Sequence, residues 1–140
     1  MKVYDATGKV LGRLASHVAK EAIRGETIHI INCEKAILVG NPTFIKEKYL
    51  NRIKRGDPNH GPFFPRTPLG IVKRAIRGMI KYKKTLGKKA FKRIKVWVGV
   101  PDMLKNVPVE KDNIKNIDMI KTKYITVGEL SISLGAKKRW

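Results

Sequence analysis

Apolar residues recur at two different spacings along the first part of the chain. From Leu11 to Ala22 they return every three or four positions, the period of an amphipathic α-helix, and Gly25 follows where a helix-ending glycine is expected. Residues 2–6 are typical of a short strand, and residues 27–32 are β-branched and almost continuously apolar, as in a strand buried on both faces. The order strand, helix, strand predicts a parallel pair with a right-handed crossover.

The same patterns predict further elements. Helices are expected over about residues 41–51, 68–80 and 86–93, and a strand over residues 94–100. Residues 36–39 form another short apolar run, and a capping box from Thr126 to Glu129 opens a short helix that Gly135 ends. Residues 105–124 show no clear pattern. The alternation of strands and helices predicts a single α/β domain over residues 1–140, with three layers (α/β/α) around a mainly parallel sheet.

The distribution of charge narrows the range of functions. The 140 residues include 31 Lys and Arg against 11 Asp and Glu, a net charge of +20, and 42% of them are apolar, enough for a core rather than a disordered basic chain. Residues 46–95 hold seventeen of the basic residues and two acids, Glu47 and Asp57, so this third of the chain carries +15 of the +20. A short basic tail follows at residues 136–140. The imbalance predicts that residues 46–95 bind a polyanion, with nucleic acid as the first candidate.

The helix expected at residues 68–80 divides its side chains between two faces. Its apolar face carries Leu69, Val72, Ala75, Ile76, Met79 and Ile80. Its other face carries Lys73, Arg74, Arg77 and Lys81. Any solvated helix face is charged, but such faces usually mix both signs, and no acid lies between Asp57 and Asp102 to balance this one. The pattern therefore favours contact between this face and phosphates.

Two flanking segments extend the basic helix. The loop at residues 54–68 is rich in Pro and Gly and contains Phe63 and Phe64, whose rings could stack on unpaired bases or instead dock the loop on the core. Residues 81–93 are the densest basic run and suit phosphate neutralisation without base reading. The predicted RNA contacts are Lys54, Arg55, His60, Arg66, Lys73, Arg74, Arg77, Lys81, Lys83, Lys84, Lys88, Lys89, Lys92 and Arg93.

Four places could instead belong to an enzyme. Residues 7–13 follow a strand and open a helix but lack the spacing of known phosphate-binding loops, so Gly12 is better explained by close packing of helix on strand. His17 is expected on a polar helix face, His29 as a core histidine, and Cys33 as a small buried hydrophobe. None has converging catalytic partners, so we expect no enzymatic activity, cofactor, metal or small-molecule substrate.

The remaining features bear on the compartment. One cysteine permits no internal disulfide, which favours a reducing environment. The amino terminus lacks the apolar run of a signal peptide, and no run approaches the roughly eighteen residues that span a bilayer. We therefore expect a cytoplasmic protein. A binder of membrane surfaces or of acidic proteins is the rival hypothesis, but the apolar side of the basic helix includes the small Ala75, which favours core packing.

Several motifs together resemble the L13 family of large-subunit ribosomal proteins. They are DATGKVLGRLAS (5–16), INCEKA (31–36), Gly61-Pro62, Pro68, RAIRGM (74–79), GKKA (87–90) and KVWVGVP (95–101), in the family's order. The direct junction of Arg24-Gly25 to the strand at Thr27 and the tail segment GEL (128–130) resemble archaeal members. Lys81 stands where the family usually has Pro, and residues 105–124 match poorly.

The resemblance implies a fold and a function. The fold would be three-layered with a four-stranded parallel sheet. The function would be that of a structural constituent of the large ribosomal subunit, which binds 23S-type rRNA, supports subunit assembly and contacts neighbouring ribosomal proteins. Carried over position by position, Arg74, Arg77 and the lysines that follow them would face rRNA.

Overall fold

The secondary structure follows the predicted alternation of strands and helices. The computed structural model describes residues 1–114 and 116–140. The strands are β1 (Lys2–Asp5), β2 (Ile28–Ile31), β3 (Ile37–Val39), β4 (Ile94–Val96) and β5 (Tyr124–Thr126). The helices are α1 (Leu11–Ile23), α2 (Pro42–Lys54), α3 (Pro68–Met79), α4 (Thr85–Lys92) and α5 (Val127–Ser133). None of the helices in the described part of the chain is long and apolar enough to cross a membrane. The prediction of an α/β fold is confirmed.

A parallel sheet of three strands lies at the centre, in the order β1-β2-β4. β1 and β2 pair from Lys2 opposite Ile28 to Asp5 opposite Ile31, which confirms the parallel pair predicted from the first strand, helix, strand unit. β2 is the middle strand, and all four of its residues are buried, as its continuous apolar character predicted.

Residues 36–39 do not add a fourth strand to this sheet. Directly after β2, Asn32 adopts a left-handed conformation with φ of 53°, and Cys33–Lys35 form a 3₁₀ turn that leads the chain away. Asn is one of the few residues that adopt this conformation readily. The apolar run then becomes β3, which pairs antiparallel with β5. The described residues thus form three parallel strands and a separate antiparallel pair, in place of the four parallel strands that the resemblance implied.

β4 is shorter than the predicted strand at residues 94–100. The Trp97 amide still donates to the Ile30 carbonyl at 2.8 Å, which continues the pairing by one residue. Gly99 then turns the chain with φ of +66°, a conformation that glycine adopts without steric cost. The strand therefore ends before Pro101, and it is Gly99 rather than proline that redirects the backbone.

The two faces of the parallel sheet are covered differently. On one face, α1, α3 and α4 pack over side chains such as Tyr4 and Ile30 and form the main core. On the other face, Val3 and Ile31 lie beneath Leu104, which belongs to an irregular segment with a 3₁₀ turn after β4. The second face is therefore covered by this irregular segment, where the predicted α/β/α layers would have placed helices.

Glycines at the two ends of α1 behave differently. Gly25 has φ of +111° and its amide donates to the Ala22 carbonyl, as predicted for a helix-ending glycine. Gly12, in the first turn, is exposed, and a Cβ added there would meet no heavy atom within 4 Å. The prediction that Gly12 permits close packing of helix on strand is therefore wrong, and buried side chains such as Leu14 and Val18 hold α1 on the core instead.

Residues 105–124 were left unassigned by the sequence patterns, and within the described ranges 105–114 and 116–124 they contact the amino-terminal segment. The Glu110 amide donates to the Val3 carbonyl at 2.8 Å. Lys9 forms an ion pair with Asp112, whose side chain is 2% exposed. A 3₁₀ turn at Ile117–Met119 precedes β5. This segment therefore joins the first residues of the fold to the antiparallel pair.

Replacing Ile76, which is fully buried in α3, tests the packing of this helix. We expect Ile76→Ala to lower the free energy of unfolding by roughly 2–5 kcal/mol, because the removed atoms leave a cavity in a close-packed core. Chemical denaturation followed by circular dichroism measures it. The matched variant Ile132→Ala, at a position of α5 that is 47% exposed, should change stability by less than about 0.5 kcal/mol. Equal losses in the two variants would contradict the assignment.

His29 should make the stability of the protein depend on pH. The Trp97 indole N–H donates to His29 Nδ1 at 3.2 Å, and burial, reinforced by Lys95, lowers the His29 pKa below its usual value. The unfolded chain, with a pKa near 6.5, therefore binds the proton more readily, and the free energy of unfolding should fall as the pH drops below about 6.5. Urea unfolding at neutral and mildly acidic pH measures this loss. His29→Gln, which cannot titrate, should lose less stability over the same interval.

Candidate nucleic-acid interface

The basic side of α3 faces solvent because the apolar side of the helix is packed in the core. Thr67 caps the helix, its Oγ1 accepting from the Gly70 amide at 3.3 Å, and Pro68 opens the first turn. Ile71, Val72 and Ile76 are buried. At 3.6 residues per turn, this register turns Arg74 and Arg77 outward, and both are exposed.

The predicted division of α3 into two faces is confirmed with three changes. Ile71 belongs to the buried face, although the apolar spacing did not assign it there. Met79, predicted to pack, is 44% exposed, because α3 ends at this residue and the chain beyond it changes direction. Lys73, predicted on the basic face, is half-buried, and Lys81 is exposed just beyond the helix.

Phe64 organises the first group of arginines. Its ring meets the edge of Tyr49 with 5.7 Å between centroids, so it is docked on the protein rather than presented to a base. The Arg52 guanidinium lies 5.7 Å and that of Arg74 5.3 Å from the centre of the Phe64 ring. Such cation–π contacts orient an arginine without neutralising its charge. Phe63, the neighbouring ring, is 69% exposed.

Tyr82 organises the next arginine along α3. The Arg77 guanidinium lies 4.3 Å from the centre of the Tyr82 ring, and Tyr82 in turn meets Phe91 edge-on at 5.3 Å between centroids. Phe91 packs against the core from α4. The orientation of Arg77 is thus fixed through two aromatic rings that connect it to the main body of the protein.

Two open clefts lie side by side along these clusters. The first cleft, of about 460 Å³, is lined by Phe64, Arg52 and Arg55 among others. The second, of about 530 Å³, is lined by Tyr82 and by the basic residues Arg77, Lys81, Lys83 and Lys84. Arg74 and Gly78 line both clefts. The structure therefore brings Arg55, Arg74, Arg77, Lys81, Lys83 and Lys84 of the predicted contacts into one continuous basic surface, which we call the α3 surface.

The positive charge of the α3 surface is not balanced by ion pairs in the described part of the chain. Over residues 1–114 and 116–140, no Lys or Arg of the region 46–95 forms an ion pair with an acid. Asp57 pairs with His60 at 3.2 Å, and its pKa is lowered by the Asn59 amide and by His60. The arginines and lysines of the α3 surface thus face solvent with their full charge, which makes this surface attractive to a polyanion.

The other predicted contacts lie around or away from these clefts. Lys54 and His60 are exposed in the segment at residues 54–68, which contributes Arg55 and Pro62 to the first cleft. Lys88, Lys89 and Lys92 are exposed on α4. Arg66 lies beside the basic tail, in a groove that it shares with Lys137 and Arg139. Arg93 is half-buried, and its Nη1 donates to the Ala22 carbonyl at 3.3 Å, near the end of α1. Arg93 therefore has a structural contact that the sequence did not indicate.

Arg52 is absent from the contacts predicted from the sequence, although it lines the first cleft. It lies 5.1 Å from the centre of the Tyr49 ring, three residues earlier on α2. The sequence predicted that this helix ends at about residue 51, whereas α2 continues to Lys54. The spacing from Tyr49 to Arg52 would have indicated the contact had the helix been extended by one turn.

The places considered for enzyme chemistry are occupied by structural contacts. Lys9, in the loop before α1, is paired with buried Asp112. His17 Nε2 lies 3.3 Å from the Tyr4 hydroxyl. Burial raises the pKa of the Cys33 thiol to about 12, so the nucleophilic thiolate is suppressed at neutral pH, in agreement with a buried hydrophobic role. Among the described residues, no three His, Cys, Asp or Glu side chains cluster as metal ligands would.

Comparison with known proteins identifies the family. The model of the family described as Ribosomal protein L13 matches residues 1–103. The chain belongs to the ribosomal protein L13 family. It is 48% identical to the large ribosomal subunit protein uL13 of Methanocaldococcus jannaschii, over 98% of this chain and 99% of that protein. It is 46% identical to the protein of the same name from Methanopyrus kandleri, over 95% of this chain and 86% of the relative.

Membership of the L13 family confirms the resemblance drawn from the motifs, including its archaeal character, because these relatives are archaeal. The chain is a protein of the large ribosomal subunit. The prediction that it is not an enzyme is confirmed as well, since the L13 family consists of structural ribosomal proteins. The match also covers the whole α3 surface, which lies within residues 1–103.

The two neighbouring phenylalanines should respond differently to substitution. Phe64→Ala should lower the free energy of unfolding by about 1–2 kcal/mol, because it removes a half-buried ring together with its contacts to Tyr49 and two arginines. Phe63→Ala should shift it by less than about 0.5 kcal/mol, since the ring is exposed. Thermal melts of both variants provide the comparison. A larger loss for Phe63→Ala would mean that the docking ring has been misidentified.

Proposed function

We propose that this L13 protein binds 23S-type large-subunit rRNA through the α3 surface and thereby supports assembly of the subunit. The observation that carries the proposal is the row of arginines and lysines along two adjacent clefts with no acid paired to them in the described part of the chain. A folded domain with this charge repels itself unless a polyanion neutralises it. In a large ribosomal subunit, rRNA is the polyanion available in quantity.

The geometry of the α3 surface suits phosphate more than it suits a base sequence. Arginine binds phosphate through a planar fork of N–H donors. Arg74 and Arg77 lie about one turn apart on α3, and each is held by an aromatic ring. Less ordering entropy is lost when a side chain is already oriented before binding. Because Phe64 and Tyr82 hold these arginines, their rings are not presented for stacking on bases, and we propose that the surface recognises the path of the RNA backbone. Phe63 and His60 are exposed rings at the margin of the surface.

The surrounding basic residues extend the proposed contact. The lysines of α4, namely Lys88, Lys89 and Lys92, would neutralise further phosphates, as would Lys54 and Lys73. Arg66 with the basic tail forms a second, smaller contact. Neighbouring proteins of the large subunit would meet the remaining surface of the protein. We propose that all these contacts are made in cytoplasmic ribosomes.

The salt dependence of RNA binding tests the proposal. We expect affinity for the large-subunit rRNA of Methanocaldococcus jannaschii, transcribed in vitro, to fall on the order of a thousandfold or more between about 50 and 200 mM salt, because binding to roughly six to ten phosphates releases counterions. Arg77→Gln should reduce the slope of log affinity against log salt concentration by about one. Filter binding over a salt series measures both quantities.

A matched variant controls for the loss of net charge. Lys105→Gln removes the same charge from an exposed lysine that is paired with Asp102, outside the α3 surface. It should leave the salt slope unchanged. Thermal melts of both variants are needed, because Arg77→Gln also loses the contact with Tyr82, worth about 0.5–1 kcal/mol at an exposed site. Binding that is insensitive to salt, or equal slopes for the two variants, would refute the proposed interface.

A further inference from the structure

Gly78 lies inside a helix, where a glycine lowers the stability of the folded protein relative to alanine. It lies in the last turn of α3, one residue before the helix ends. A glycine within a helix is less favourable than alanine, because it loses more backbone freedom on folding. The intrinsic preferences of a helix therefore do not account for a glycine at this position.

Neither backbone conformation nor crowding requires a glycine there. Gly78 is not in the left-handed conformation that favours glycine at helix ends, unlike Gly25 after α1. A Cβ added at Gly78 would meet no heavy atom within 4 Å. At Gly87, by contrast, an added Cβ would overlap the carbonyl of Lys81, so that glycine is required by close approach of the protein's own backbone. Gly78 has open space above it.

The open space above Gly78 is the centre of the α3 surface. Gly78 is exposed and lines both clefts, a position shared only with Arg74 among the residues that line those two clefts. Arg74 is one helical turn before it, and Arg77 precedes it directly. Their guanidinium groups are held at the Phe64 and Tyr82 rings, in the first and the second cleft. An extended polyanion that contacts both guanidinium groups has to pass across the helix near Gly78.

We propose that Gly78 is a point of close approach, at which the sugar–phosphate backbone of RNA crosses α3 between the two clefts. The inference rests on the proposed function and adds to it the path of the RNA. Without a side chain at residue 78, a phosphate or ribose reaches the surface of the helix and can contact Arg74 and Arg77 together. Any side chain there would hold the RNA away from one or both arginines. Gly78 thus favours binding while it disfavours the helix.

The test uses a substitution whose effects on stability and on binding have opposite signs. Gly78→Ala should raise the melting temperature by about 1–5 °C, because alanine favours the helix and meets no obstacle. It should weaken binding to the in vitro transcribed large-subunit rRNA of Methanocaldococcus jannaschii on the order of tenfold, equivalent to about 1.4 kcal/mol. Gly78→Leu should weaken binding further, in keeping with its larger side chain. Filter binding at one fixed salt concentration gives the affinities.

Gly12→Ala is the matched control. Gly12 is also an exposed helical glycine with open space around it, but it lies on α1 and lines neither cleft. Gly12→Ala should bind the rRNA as the unmodified protein does. Unchanged binding by Gly78→Ala, an equal loss in Gly12→Ala, or a lower melting temperature for Gly78→Ala would overturn the inference. If Arg77→Gln still reduces the salt slope in that case, the proposed interface stands and only the path across Gly78 is wrong.

Discussion

The burial of one face of α3 determines where the positive charge of this protein is displayed. Ile71, Val72 and Ile76 occupy the core, and this fixes the rotation of the helix about its axis. The outward positions then follow from helical geometry, and they carry Arg74 and Arg77. Because a close-packed core tolerates little displacement, the helix backbone that carries these arginines is held by the same packing that holds the fold. The positions on α3 from which the two arginines project are therefore set by the interior beneath them.

Aromatic rings, rather than acids, orient these arginines. A carboxylate would also fix a guanidinium, but it would cancel the charge that attracts phosphate and occupy the donors that phosphate needs. A ring face attracts the cation and leaves its N–H donors at the edge. The separate locations of the ion pairs agree with this division, since Glu21 and Asp112 pair with Lys2 and Lys9 at the amino-terminal side of the fold. Acids thus pair with lysines on the amino-terminal side of the fold, whereas aromatic rings orient the arginines of the α3 surface.

The sequence predicted those features that depend on local periodicity. The limits of α1, α3 and α5 and the two faces of α3 follow from the spacing of apolar residues and from capping residues such as Thr126. The fate of residues 36–39 could not be predicted in this way, because pairing with β5 joins segments more than eighty residues apart. Arg52 was missed because the predicted end of α2 lies one turn before the observed end. The role of Gly12 was wrongly predicted because the sequence does not show whether the space around a glycine is open or filled.

The attachment of Glu110 and Asp112 to the amino-terminal segment has a consequence for the order of folding. The Val3 carbonyl accepts a hydrogen bond from the Glu110 amide, and Lys9 pairs with Asp112, so both contacts form only after about a hundred further residues have been synthesised. The entropic cost of closing so long a loop grows slowly with length, but contacts between distant segments slow the search for the native state. The nascent chain can therefore pair β1 with β2 early, whereas the contacts of Val3 with Glu110 and of Lys9 with Asp112, and the pairing of β3 with β5, form only once those later segments are made. During that interval the basic middle of the chain is already exposed, so charge is available to an anionic partner before the fold has closed.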